Sequence, residues 1–179
     1  MPRIAPLDPP YASDVKSSFD ELMRGAEPLM LFRVIARSER AWKKLRAGSL
    51  LDRGPLTLRQ REIVIDRTCG LTRCEYEWGV HVKLFAAAAK LTEEQVRATV
   101  IEGAIAPCWT PAEAALIRAV DALHARATLE DEEYRALAHH FDEAQILEIM
   151  MLCGQYHTIA YVARGLQIPL EPDTPRFPS

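Results

Sequence analysis

Apolar residues recur every third or fourth position through most of this 179-residue chain, and no stretch alternates with the period of two that a half-buried strand requires. That pattern alone predicts an all-α, single-domain helical bundle. Glycine and proline gather at the breaks between periodic segments, where they end helices without interrupting them. Ser13 is expected to cap a helix over Asp14 to Met23 whose Val15, Phe19 and Leu22 share a face. Pro28 is suited to the first position of the next, which carries Leu31, Phe32 and Ile35. A third runs from Glu39 to Leu50 and stops at Asp52-Arg53-Gly54-Pro55. Helices are then expected from Thr57 to Cys69 and, after a Gly70-Leu71-Thr72 break, from Thr72 onward. Thr92 opens T-x-x-Q, and Thr110-Pro111-Ala112-Glu113 forms a capping box with proline in the first turn. The last helices cover Glu130 to His140 and Asp142 to Leu166, the latter with a bend expected at Gly154.

Proline at positions 2, 6, 9 and 10 makes residues 1–12 an extended arm; residues 13–171 form the helical domain and 172–179 an irregular tail. The length suits one domain with a real core. A net charge of −3 without any Lys/Arg cluster leaves no footprint for nucleic acid. No apolar run is long enough for a membrane span, and Met1-Pro2-Arg3-Ile4-Ala5-Pro6 does not read as a signal peptide. The 4 cysteines are scattered, unlike a secreted disulfide framework, so a reducing cytoplasm is the expected location. There is no dinucleotide-binding glycine motif and no P-loop, and no cofactor is expected.

The chemistry concentrates between Arg61 and His81, REIVIDRTCGLTRCEYEWGVH. Cys74, Glu77 and His81 are three and four residues apart, which on one helix is a single face. Thr72 with Glu75 reads as the capping box of that helix, placing Cys74 in the first turn, where the helix dipole favours a thiolate. Glu77 lies one turn before His81 and can orient the ring, leaving an imidazole free to act as acid or base near neutral pH. Glu62 lies on the preceding helix among Ile63, Val64 and Ile65. Burial there would favour its acid form, whereas an exposed Glu62 would merely pair with Arg59 or Arg61.

This block resembles the carboxymuconolactone decarboxylase-like superfamily, which includes the alkyl hydroperoxidase D (AhpD) proteins. Their E-x11-C-x2-C-x3-H pattern is matched by Glu62, Cys74 and His81, with Glu77 in place of the second cysteine. The Tyr76-Glu77-Trp78-x-x-His81 run is similar to a branch of the same superfamily, as are Asp121-x-x-His124 and Gln155-Tyr156-His157. The resemblance implies a helical fold, a small-molecule substrate and a homo-oligomer, trimeric or hexameric. It also implies roles for Glu62, Cys74, Glu77 and His81.

Two enzymatic readings follow. In the first, a cofactor-independent decarboxylase-like enzyme works on a small carboxylated or lactone substrate: His81 moves a proton, Glu77 orients it and Glu62 is the second acid or base. In the second, an AhpD-like thiol peroxidase uses Cys74, but its resolving sulfur is missing unless Cys69 approaches Cys74. A third reading is a non-catalytic oligomer whose pocket binds a small ligand. Cys108 and Cys153 read as core residues. Tyr76 and Trp78 read as packing or subunit-contact groups, the former with a hydroxyl that can reach a pocket rim. Asp121, His124, Tyr156 and His157 read as core or interface hydrogen-bonding groups, and His139-His140 as helix-terminal. Zinc on Cys74, Glu77 and His81 is not expected, because a three-ligand site on one helix face is rare.

Overall fold

The computed structural model describes residues 2–179, and among them the regular elements are nine α-helices and one short 3-10 turn, with no strand. The helices are α1 (Ser13–Met23), α2 (Met30–Ile35), α3 (Glu39–Ala47), α4 (Leu58–Leu71), α5 (Glu75–Phe85), α6 (Glu93–Ala98), α7 (Pro111–Arg126), α8 (Asp131–Ala138) and α9 (Glu143–Gly165). The all-α expectation is met.

α4 is the axis of the molecule. It packs against α5, α7 and α9, and every residue from Glu62 to Gly70 is buried. A helix covered on all sides needs no amphipathic stripe, and α4 has none. Thr57 caps it by accepting the Gln60 backbone N–H, while the Gln60 side chain returns to the Thr57 N–H. The boxes expected at Thr92 and Thr110 form as well, and Asp142 caps α9 with Gln145.

The largest difference from expectation lies between α4 and α5. Gly70 does not break α4 but lies inside it, where a Cβ would come 2.6 Å from the Thr99 carbonyl oxygen. The glycine serves close helix approach there, not flexibility. The chain reverses three residues later, at Arg73, whose φ is 56°. Cys74 N donates to Cys69 O at 2.9 Å and Arg73 N to Gly70 O at 3.2 Å, the two bonds of a Schellman stop. Thr72 is therefore the C-cap of α4, and its hydroxyl donates to Thr68 O. Cys74 takes the N-cap position of α5 itself, two positions before the place in the first turn that a Thr72 cap implies.

Other boundaries differ by a few residues. Ser13 is the first residue of α1 and caps nothing, α2 starts two residues after Pro28, and α3 stops at Ala47. α9 runs through Gly154 as one helix.

Both ends of the chain lie against the bundle. Arg3 N donates to Leu166 O and Leu7 N to Arg33 O. At the other end Phe177 stacks on Trp78 with ring centroids 5.2 Å apart, and its N–H donates to Glu75. Tyr76 donates its hydroxyl to Glu171 and accepts from Leu31 N. The aromatic pair read as possible subunit-contact surface is thus buried inside its own chain and offers no apolar face to a partner.

Candidate active site

Four elements deliver the site. α4 and α5 run side by side from the Schellman reversal, which turns Glu62 toward His81. α9 brings Tyr156, 75 residues away in sequence, against the other edge of the imidazole. The short α1–α3 segment closes the remaining side of a cavity.

His81 is buried and bonded at both nitrogens. Nδ1 is 2.7 Å from Glu62 Oε2 and Nε2 is 3.0 Å from the Tyr156 hydroxyl. Glu77 Oε1 lies 3.4 Å from Nε2, a charge contact rather than a good hydrogen bond. Burial by itself would push the imidazole down, but hydrogen bonds and charge attraction from Glu62 and Glu77 outweigh it and raise His81 to about 10. The ring is therefore an imidazolium at neutral pH. Nδ1–H donates to Glu62 and Nε2–H to the Tyr156 oxygen. An imidazole titrating near neutrality, expected from the sequence, is not what this site holds.

The two carboxylates have exchanged the parts expected of them. Glu62 is the orienting group. It is fully buried, and its Oε1 accepts from Arg61 Nε at 3.0 Å while Oε2 holds His81. Both burial and an Arg61 pair, read as alternatives, occur together. Arg61 is itself fixed by Leu51 O at 2.7 Å and lies over the Phe85 ring at 5.6 Å. Glu77 is the freer group: its Oε2 is buried without a hydrogen-bond partner. A buried acceptor left open costs stability unless a ligand or water meets it.

Glu77, His81 and Tyr156 face a cavity of about 140 Å³. Its other walls are mostly apolar, with Phe32, Trp42, Leu45 and Leu50 from α2, α3 and the following loop, Phe85 from α5 and Ile159 from α9. A volume of this size accommodates a single ring, since a dry cavity of about 150 Å³ takes benzene. Glu62 does not line it and acts through His81.

Cys74 does not line it either. The thiol is completely buried, and burial pushes it up to about 11 instead of activating it. The helix-dipole expectation fails because the N-cap side chain is sealed from water. Cys69 is free and buried, with its thiol held well above the ordinary range by burial and then by neighbouring Cys74 and Glu77; no disulfide joins it to Cys74. Cys153 is buried as expected.

Of two further buried groups, Tyr156 is in the site, not merely in the core, and Asp66 is outside the cavity. Asp66, one turn after Glu62, is buried with neither carboxylate oxygen bonded, and burial holds its acid form well above the usual carboxylate range. The Glu62-x3-Asp66 spacing on a helix was the available signal. His124 and His157 pair with each other at 2.9 Å on the surface, and Asp121 pairs with Arg67, so these three lie outside the site. Among the described residues no group of three or more His, Cys, Asp or Glu is placed to hold a metal ion. No helix among them is long and apolar enough to cross a membrane.

A helical bundle with a buried carboxylate–imidazolium pair at the end of a ring-sized cavity is the class of protein these features define. The carboxymuconolactone decarboxylase family model matches residues 36–122, from the end of α2 through most of α7 and including the whole motif. Over those residues the chain is similar to the carboxymuconolactone decarboxylase family. No curated protein matches it significantly. Among solved structures it is similar to an uncharacterized peroxidase-related protein from Silicibacter sp. TM1040, with TM-score 0.81 at 15% identity over 99% of this chain and 96% of that one. It is similar to ATU0492 of Agrobacterium tumefaciens, a putative antioxidant defence protein AhpD, with TM-score 0.67 at 23% identity over 77% of this chain and 95% of the other. The debrominase Bmp8 matches with TM-score 0.71 at 16% identity, covering 94% and 92%. At these identities the likenesses establish the fold alone.

Proposed function

We propose that the protein is a cofactor-independent acid–base enzyme that moves a proton at a carbon next to the carbonyl of a small, ring-sized substrate such as a lactone. The observation that carries this reading is the pairing of Glu77, one of whose buried oxygens has no hydrogen-bond partner, with the doubly hydrogen-bonded His81, both residues of the cavity wall. Glu77 Oε2 takes the proton as the C–H bond breaks, and the electron pair moves onto the carbonyl oxygen. The Tyr156 hydroxyl, which accepts His81 Nε2–H, donates its own proton to that oxygen with the imidazolium charge behind it, and Glu77 returns the proton to carbon. Glu62 holds the ring and its charge. Bmp8, which shares the fold, has been captured with 2,3,4-tribromopyrrole, a single substituted ring, and that size agrees with this cavity.

The names of the peroxidase-related structures favour a thiol reading, but Cys74 offers a protonated, sealed sulfur and Glu77 stands where a resolving cysteine would be. That reading is less well supported. The homo-oligomer, trimer or hexamer, that the resemblance implies is part of the proposal; a light-scattering mass of one 20.2 kDa chain would count against it.

The test is deuterium exchange at the α-carbon of small lactones and cyclic ketones, followed by NMR. Exchange lost in Glu77→Gln and His81→Gln but kept in Cys74→Ser supports the reading. Dithiol-dependent peroxide consumption that vanishes in Cys74→Ser, with no exchange, replaces it by the thiol one.

A further inference from the structure

The cavity also shows which charge its ligand can carry. Among the described residues lining it, the cationic side chains are Arg46 and His81, and both are committed elsewhere. Arg46 points at α1: Nη1 donates to Ser18 Oγ at 2.6 Å and Nη2 pairs with Glu21 at 3.0 Å. His81 gives Nδ1–H to Glu62 and Nε2–H to Tyr156. Glu77 lines the same space and holds one buried oxygen without a donor. A ligand carboxylate would find no free cation there and would meet a second negative group at close range in an apolar surround. A neutral ring with an O–H or N–H would meet the one unmet need of the wall.

We infer that the cavity selects uncharged, ring-sized molecules that present a hydrogen-bond donor to Glu77, and excludes carboxylates of the same size. The inference rests on the proposed acid–base reading for its substrate class: the acidic C–H whose proton Glu77 takes occupies the place of that donor. It therefore narrows the substrate to an uncharged ring carbonyl and sets the carboxylated alternative aside. The selectivity itself rests only on the cavity wall. Exclusion by a like charge whose counter-ion is already His81 is the negative half of specificity, and Glu77 supplies it together with the positive half.

Phenol and benzoate test this, since they share one ring and differ at pH 7 in charge and in the presence of a donor. Affinities are read from NMR shift changes at His81 and Tyr156, for the wild type and for Glu77→Gln. Phenol is expected to bind the wild type at least about tenfold more tightly than benzoate. Glu77→Gln, which removes the charge and adds an N–H, is expected to bring the two affinities together by weakening phenol and admitting benzoate. Benzoate binding as well as phenol to the wild type overturns the inference, and so does binding of neither at millimolar concentration. A wild-type preference that survives Glu77→Gln unchanged also overturns it, because the wall would then not be the cause. Failure of catalysis is distinguishable: a protein that prefers phenol but exchanges no α-proton keeps this selectivity and loses the proposed reaction.

Discussion

The two halves of the motif region, only a few residues apart, meet opposite environments. Around His81 every polar atom of the ring is bonded, the group is charged, and the cavity reaches it. Around Cys69, Cys74 and Asp66 the polar groups are equally buried; the Glu77 N–H and the Arg164 charge at Cys74 and the His81 charge at Asp66 are outweighed, and burial drives each toward its neutral form. Spacing made the thiol and the imidazole look like equal members of one reactive face. The difference teaches that burial activates a group only when a partner stabilises its reactive charge state; without one, burial silences it.

The comparison breaks most easily at Glu62. Glu62→Gln leaves the His81 and Arg61 charges buried without their counter-ion, and is expected to cost about 3–5 kcal/mol of stability and essentially all turnover. Denaturant midpoints and α-proton exchange measure both. A variant as stable as the wild type would show that the pair is not the charged unit described here.

Next comes pH. The His81 pKa is raised on folding, from 6.5 to about 10, so the folded state holds the extra proton between those values. The stabilisation is fully present below pH 6.5 and is lost as pH climbs through about 10, by an amount on the order of a few kcal/mol. Melting curves across that window should show a falling stability in the wild type and a flatter profile in His81→Gln. Equal slopes would assign the titration elsewhere.

Tyr156→Phe is a smaller perturbation. It removes the acceptor of His81 Nε2–H while keeping the ring, and about 1–2 kcal/mol of stability should go with it. Proton exchange should slow through turnover rather than through substrate binding. No change in either would reduce Tyr156 to packing.

The smallest effect is expected on the thiol side. Cys74→Ser should leave proton exchange within about twofold, because the sulfur does not reach the cavity. The native thiol should also resist an aromatic disulfide reagent until the protein unfolds. Rapid labelling of native Cys74 would erase the contrast between the two halves.

Much of the architecture was legible in local pattern. Thr92-x-x-Gln95 and Thr110-x-x-Glu113 start helices where expected, because capping is settled within four residues. Thr72-x-x-Glu75 carried the same signature and failed. The Schellman bonds at Cys69 and Gly70 claim Thr72 for the preceding helix, and local pattern does not rank two competing local solutions. Gly70 was misread for a related reason: its need is the Thr99 carbonyl, 29 positions later in the chain, not a turn of its own.

By itself the sequence determined the helical class and the side-by-side run of two motif helices, and it named Glu62, Cys74, Glu77 and His81 as candidates, since all of these follow from periods and short spacings. Only the tertiary structure decided what those residues do. The rotation of α4 against α5 gives Glu62 to His81 and leaves Glu77 open, and the approach of α9 adds Tyr156. The same packing shuts Cys74 and Asp66 away from the cavity. The physical reason is that a side chain's charge and reach depend on what covers it. That cover is assembled from helices far apart in the chain, and no spacing within one helix encodes it.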